Sequence, residues 1–119
     1  MHKVLAVVGS RTFSNLQQML YAIRDEHPDE IVSGGARGAD SLAEMIATGT
    51  NIPFRKFLPE WDRYGRSAGF RRNELIIAAA THVLAFYGPD GETAGTKNSV
   101  QLARAACKPV KVYFQSKES

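Results

Sequence analysis

The chain predicts a single Rossmann-like α/β domain, doubly wound, with a five-stranded, mainly parallel sheet flanked by helices. Three observations carry that expectation. Five short, β-branched apolar runs alternate with four segments whose apolar residues recur at helical spacing. The connections between them are short, as right-handed β-α-β crossovers require. At 119 residues, the chain has room for one domain with one real core.

The elements follow in order. Lys3 to Val8 reads as a buried parallel strand that runs into the loop Gly9-Ser10-Arg11. Ser14 or Asn15 can cap the helix that follows, Leu16, Met19, Leu20 and Ile23 form its apolar stripe, and Pro28 stops it. Glu30 to Ser33 is the second strand and Gly34-Gly35-Ala36-Arg37-Gly38 its loop. Asp40 is expected to cap a helix that turns Leu42, Met45 and Ile46 inward. Phe54 to Leu58 makes a third strand, followed by a long polar loop, Pro59 to Gly69, and a helix ending in Leu75-Ile76-Ile77-Ala78-Ala79-Ala80. Thr81 to Tyr87 is the fourth strand, Gly88 to Gly95 a loop, Thr96 to Cys107 a helix, and Pro109 to Phe114 the last strand before the polar tail Gln115 to Ser119. No linker, low-complexity tract or repeat beyond the β-α unit interrupts the chain, so residues 1–119 are read as one domain.

Composition narrows the function classes. Hydrophobic residues at 44% and charged residues at 23% exclude wholesale disorder, collagen and coiled coil. The longest apolar runs, Leu75 to Ala80 and Val83 to Tyr87, fall well short of a membrane span, and no charged leader precedes a long apolar segment, so a soluble cytoplasmic protein is expected. Cys107 has no disulfide partner, and with His2, His27 and His82 it makes no metal-ligand spacing; no metal and no cofactor are expected. Cys107 reads as a small core residue. Net charge is only +3, yet Arg55, Lys56, Arg63, Arg66, Arg71 and Arg72 crowd one stretch against Glu60 and Asp62, which points to an anionic partner, a phosphorylated ligand or a nucleic-acid backbone.

The unusual residues fall at the carboxyl ends of the strands, where ligands bind in open α/β sheets. Ser33-Gly34-Gly35-Ala36-Arg37-Gly38 resembles the dinucleotide fingerprint with serine for its first glycine. Glycines there let backbone approach a phosphate, and the helix start at Ala39 to Leu42 favours an anion. The motif follows the second strand, and no acidic residue stands about twenty positions on, so it reads as a phosphate cradle rather than an NAD site. Gly88 to Thr96 is a second glycine-rich connection. Lys97 comes after Thr96, so the P-loop ending is absent, but the Thr93 and Thr96 hydroxyls suit a phosphate held without metal. Arg11, Arg37, Arg66 and Arg72 stand at strand ends or helix starts, where arginine gives bidentate contacts to phosphate; of Arg71 and Arg72 only one can face the site, and Arg72, beside Asn73, is chosen. Trp61 and Tyr64 can stack on a base, close a lid, or pack at an interface.

Taken together, Gly9-Ser10-Arg11, Ser33 to Asp40, Trp61 with Tyr64-Gly65-Arg66, Ala68-Gly69, Arg72-Asn73 and Thr93-Ala94-Gly95-Thr96 resemble the YspA or YAcAr-like family of the SLOG superfamily. The resemblance runs in order from Lys3 to Phe114. It implies a Rossmann-like fold that binds nucleotide-derived ligands, in some relatives signalling nucleotides derived from NAD or ADP-ribose, often as a homo-oligomer. Hydrolytic, lysine-decarboxylase-like relatives end their Pro-Gly-Gly-x-Gly-Thr-x-x-Glu motif in a catalytic glutamate. This chain has Lys97-Asn98-Ser99 there, leaving Glu92 and Asp40 as weak substitutes. DNA-processing relatives bind single-stranded DNA.

Three readings follow. The first is a binder of a phosphorylated nucleotide-derived molecule that senses or sequesters it without turnover. The second is a nucleotide N-glycosidase or phosphoribohydrolase, which needs a carboxylate beside the ribose. The third is single-stranded nucleic-acid binding, with steep salt dependence. Expected ligand contacts are Gly9, Ser10, Arg11, Ser33, Gly34, Gly35, Ala36, Arg37, Gly38, Asp40, Trp61, Tyr64, Arg66, Arg72, Asn73, Thr93, Gly95 and Thr96. The expected partners are the nucleotide and a second copy of the chain. No membrane is expected.

Overall fold

The computed structural model describes residues 2–116. Strands β1 (Val4–Gly9), β2 (Glu30–Ser33), β3 (Phe54–Lys56), β4 (His82–Tyr87) and β5 (Val110–Phe114) form one sheet in the order β3-β2-β1-β4-β5, and every neighbouring pair is parallel. Because side chains alternate across a strand, β1 feeds two cores. Leu5 and Val7 pack under α1 (Leu16–Glu26) and α2 (Ala39–Thr50) with Phe13, Met19, Ile31, Leu84 and Phe86. Val4, Ala6 and Val8 pack under α4 (Ala68–Ala79) and α5 (Ala94–Ala105) with Val32, Ile76, Ile77, Val83 and Val100. Burial on both faces explains why β1 and β4 read as unbroken apolar runs.

The single Rossmann-like α/β domain is therefore as expected, and several local expectations are corrected. The polar loop Pro59 to Gly69 contains a one-turn helix α3 (Trp61–Tyr64) and a 3₁₀ turn at Gly65–Ser67, and α4 already begins at Ala68, so the described residues form five α-helices where four were expected. Helix α5 starts at Ala94, two residues before the expected Thr96. β3 stops at Lys56 rather than Leu58. Asn15, not Ser14, caps α1, accepting from the Gln18 amide at 3.0 Å. Met45 is exposed while Ile46 is buried. Leu75 is also exposed, whereas Ile76 and Ile77 are core. Cys107 is exposed, because it occupies the left-handed position (φ 57°) that reverses the chain after α5, and its amide donates to the Arg104 carbonyl. The expected tail is partly built in: the Gln115 amide donates to the Tyr87 carbonyl and its side chain joins Ser14, while Ser116 bonds Gln18 and Asn15. Residues 117–119 lie outside the described ones. No helix among the described residues is long and apolar enough to cross a membrane.

Candidate functional site

The strand order reverses between β1 and β4, and the connections leaving their carboxyl ends run to opposite faces of the sheet. A crevice of about 360 Å³ opens there. Its floor is Val8, Gly9 and Ile76; Ser10, Arg11 and Thr12 come from the β1–α1 loop, Ala36 and Asp40 from the β2–α2 region, Arg72 and Asn73 from α4, and Asp90, Thr93, Gly95, Thr96 and Ser99 from the β4–α5 loop and α5.

The β2–α2 loop is held against the β1 loop by Gly38. Its φ of +76° is the left-handed region, and a β-carbon there would collide with the Ser10 and Arg11 carbonyl oxygens. The Ala39 amide then donates to the Ser10 carbonyl at 3.1 Å. Gly38, and not Asp40, occupies the cap position of α2, and it makes no side-chain cap. The expectation that Asp40 caps its helix is thus overturned.

Asp40 instead turns back under the loop. It is buried, its Oδ1 lies 2.9 Å from Ser33 Oγ, and its Oδ2 accepts from the Ala36 amide at 3.2 Å. Burial raises its pKa above the ordinary 3.8, although the Ala36 amide, Arg72 and Arg11 oppose the rise. A capped Asp40 would have had a lowered pKa; the direction is the reverse because desolvation dominates.

The two glycine-rich loops differ in what they offer. In the first, the Ala36 and Ala39 amides already have acceptors. In the second, the first turn of α5 leaves the amides of Ala94, Gly95 and Thr96 without helical partners, and Thr93 Oγ1 meets Thr96 Oγ1 at 3.2 Å beside them. Arg72 reaches the crevice over Gly34: a β-carbon on Gly34 would lie 2.8 Å from Asp40 Oδ2 and 3.1 Å from Arg72 Nη1. Among the described residues, the buried Arg72 Nε and Ser10 Oγ have no hydrogen-bond partner. Asn73 is buried beside them and donates to Asn98 Oδ1 at 3.1 Å and to the Gly95 carbonyl at 3.4 Å, fixing α4 to α5.

Of the residues expected to form the site, the structure brings Gly9, Ser10, Arg11, Ala36, Asp40, Arg72, Asn73, Thr93, Gly95 and Thr96 to the crevice lining. Ser33, Gly34 and Gly38 sit behind it as its wall. Gly35 and Arg37 are exposed and outside it, as are Trp61 and Arg66. Tyr64 lies in a separate groove with Leu58, Arg71 and Leu75, its ring 4.9 Å from the Arg71 guanidinium and 5.1 Å from that of Arg63. Glu92, a weak catalytic candidate, faces the far side of α5 with Tyr87, Lys97, Arg104 and Phe114. Sequence reasoning missed Thr12, Asp90 and Ser99. Ser99 was open to discovery, since it stands one helical turn beyond Thr96. The basic stretch is also divided: Arg55 pairs with Glu30, Lys56 with Glu44 and Arg63 with Glu60, so its charge does not form one continuous track.

No protein-family model matches the chain. It is 35% identical over 121 aligned positions to the Gene 61 protein of Mycobacterium phage D29, across 92% of this chain and 94% of that protein. With that identity over nearly the full length of both, the chain belongs to the family of the phage D29 Gene 61 protein.

Proposed function

We propose that the protein is a YspA- or YAcAr-like member of the SLOG superfamily that binds a phosphorylated, nucleotide-derived ligand in the β1/β4 crevice. It senses or sequesters that ligand in the cytoplasm, as a homo-oligomer and without turnover. One observation carries the reading: Ser10 Oγ and Arg72 Nε are buried, unpartnered among the described residues, and line the crevice into which α5 begins. A buried donor without an acceptor costs about 1–3 kcal/mol, and an oxyanion gives both donors one. The α5 amides and the positive end of its dipole add to the same anion. The volume of about 360 Å³ is that of a mononucleotide or half a dinucleotide, at the lower end of small-molecule sites. Thr12, Thr93 and Asp90 supply polar partners for ribose hydroxyls. NAD- and ADP-ribose-derived signalling nucleotides carry such a half.

Binding without turnover is supported by what stands beside α5. Lys97 faces away from the crevice, Asn98 is engaged by Asn73, and Ser99 is neutral, so no carboxylate comes from this helix to stabilise an oxocarbenium-like centre. Homo-oligomer formation is supported by Leu58, Trp61, Phe70 and Leu75, each more than half exposed on the α3–α4 flank.

The test is mass spectrometry of small molecules released from the purified, denatured protein, with incubation of the folded protein with nucleoside monophosphates, NAD and ADP-ribose. A released or bound nucleotide phosphate, with no free base by chromatography, is expected. No retention of any of them rejects the reading. Free base whose release stops in Asp40→Asn or Asp90→Asn replaces the binder with a hydrolase.

A further inference from the structure

Ser33 has one hydroxyl proton and two acceptors. Its Oγ lies 2.6 Å from the Val7 carbonyl oxygen and 2.9 Å from Asp40 Oδ1, all three atoms buried. The carbonyl accepts only, so the shorter contact takes the Ser33 proton. The second contact then sets a serine lone pair against Asp40 Oδ1, which is repulsive if Asp40 is a carboxylate. It is a hydrogen bond if Oδ1 carries a proton and donates to Ser33. Oδ2 remains free to accept from the Ala36 amide, as it does.

The opposite face of Asp40 points the same way. Oδ2 and Arg72 Nη1 converge on the space above Gly34, yet the two residues form no ion pair among the described residues. An anion received by Arg72 and Ser10 therefore sits beside Asp40, and two negative charges in a partly desolvated crevice repel. We propose that Asp40 is the proton-binding residue of the crevice and that an oxyanion docking on Arg72 and Ser10 takes up one proton onto it.

This rests on reading the crevice as an anion site. The charged and titratable groups around Asp40 are Arg72 from α4, Arg11 from the β1–α1 loop and Asp90 from the β4–α5 loop; no histidine lines the crevice. The two arginines favour the carboxylate, and burial together with the Ser33 geometry favours the acid. Adding an anion occupies the arginines and tips the balance to the acid. By linkage, anion affinity falls by up to about tenfold per pH unit as pH rises from the free-state pKa of Asp40 to its bound-state pKa.

Sulfate is the probe, because it stays a dianion throughout the working pH range and contributes no proton of its own. The Asp40 carboxyl carbon is followed by NMR against pH with and without sulfate, in the unaltered protein, and the Arg72 side-chain resonances report occupancy. Sulfate is expected to shift the Asp40 midpoint upward, and the shift is expected to survive Asp90→Asn. In Asp40→Asn, stabilisation by sulfate is expected to lose its pH dependence. If Arg72 responds to sulfate while the Asp40 midpoint stays fixed, or if the midpoint shift vanishes in Asp90→Asn, this inference fails and the anion site stands. If neither Arg72 nor Asp40 responds, both fail.

Discussion

Successive residues on a helix point about 100° apart, so adjacent arginines meet different surroundings. Arg71 lies over the Tyr64 ring in one groove; Arg72 enters the crevice with Nε unpartnered. Arg72→Ala should weaken nucleotide binding by about 1.5–3 kcal/mol, as loss of a charge-assisted hydrogen bond does, and leave thermal stability unchanged or higher. Calorimetric titration and a melting curve check both. Arg72→Lys should not restore binding, since an ammonium lacks the planar fork. Gly34→Ala is expected to weaken binding, because its new methyl lies 2.8 Å from Asp40 Oδ2 and 3.1 Å from Arg72 Nη1 and displaces both groups. Arg37, exposed outside the lining, is expected to change binding by less than about 1 kcal/mol when replaced by alanine, although the sequence motif gave it prominence. At this scale the preference for Arg72 was legible from its neighbour Asn73. The orientation of Asp40 was not, because a helix start in sequence does not reveal which residue caps it.

Among elements, the amino-terminal side of the sheet is joined by one buried carboxylate. Glu26, at the end of α1, meets Lys3 before β1 at 3.0 Å and Lys111 of β5 at 2.7 Å. Burial alone would raise its pKa, but hydrogen bonds from Lys111 and Lys3, with their charges, outweigh it and hold Glu26 below its ordinary 4.5. A lowered folded-state pKa gives stability that is present above the unfolded value and lost as pH falls through the folded one. Glu26→Gln should therefore cost about 1.5–3 kcal/mol at neutral pH and flatten the loss of stability below about pH 4.5, measured by urea unfolding across pH. Nothing in the local sequence announces this link, since its partners stand at positions 3, 26 and 111. Helix α3 escaped notice for a different reason: four residues are too few to display a helical period.

For the whole molecule, Leu58, Trp61, Phe70 and Leu75 are exposed, and Leu58 and Leu75 line one groove with Lys56 of edge strand β3. Light scattering at micromolar concentration is expected to give at least twice the chain mass of 13.1 kDa, and Leu75→Glu to lower it to the monomer. A monomer before substitution rejects the oligomer. Trp61 is the one tryptophan in the chain, so its emission should shift to the blue on assembly and report the same equilibrium.

Local pattern by itself determined the class of fold and the end of the sheet where the candidate site lies. β-branched runs buried on two faces and helical stripes between them admit few arrangements other than a doubly wound parallel sheet, and glycines and arginines gathered at one set of strand ends mark the side of the candidate site. Tertiary structure decided which of those residues meet. Strand order put β1 beside β4, so the β4–α5 loop and the Ser10 loop face one crevice, while Trp61, Arg66 and Arg37 were left outside it. It also decided the surroundings of Asp40. Burial, the single proton of Ser33 and the approach of Arg72 are properties of residues seven and thirty-two positions away, brought within reach only when the sheet and α4 pack together.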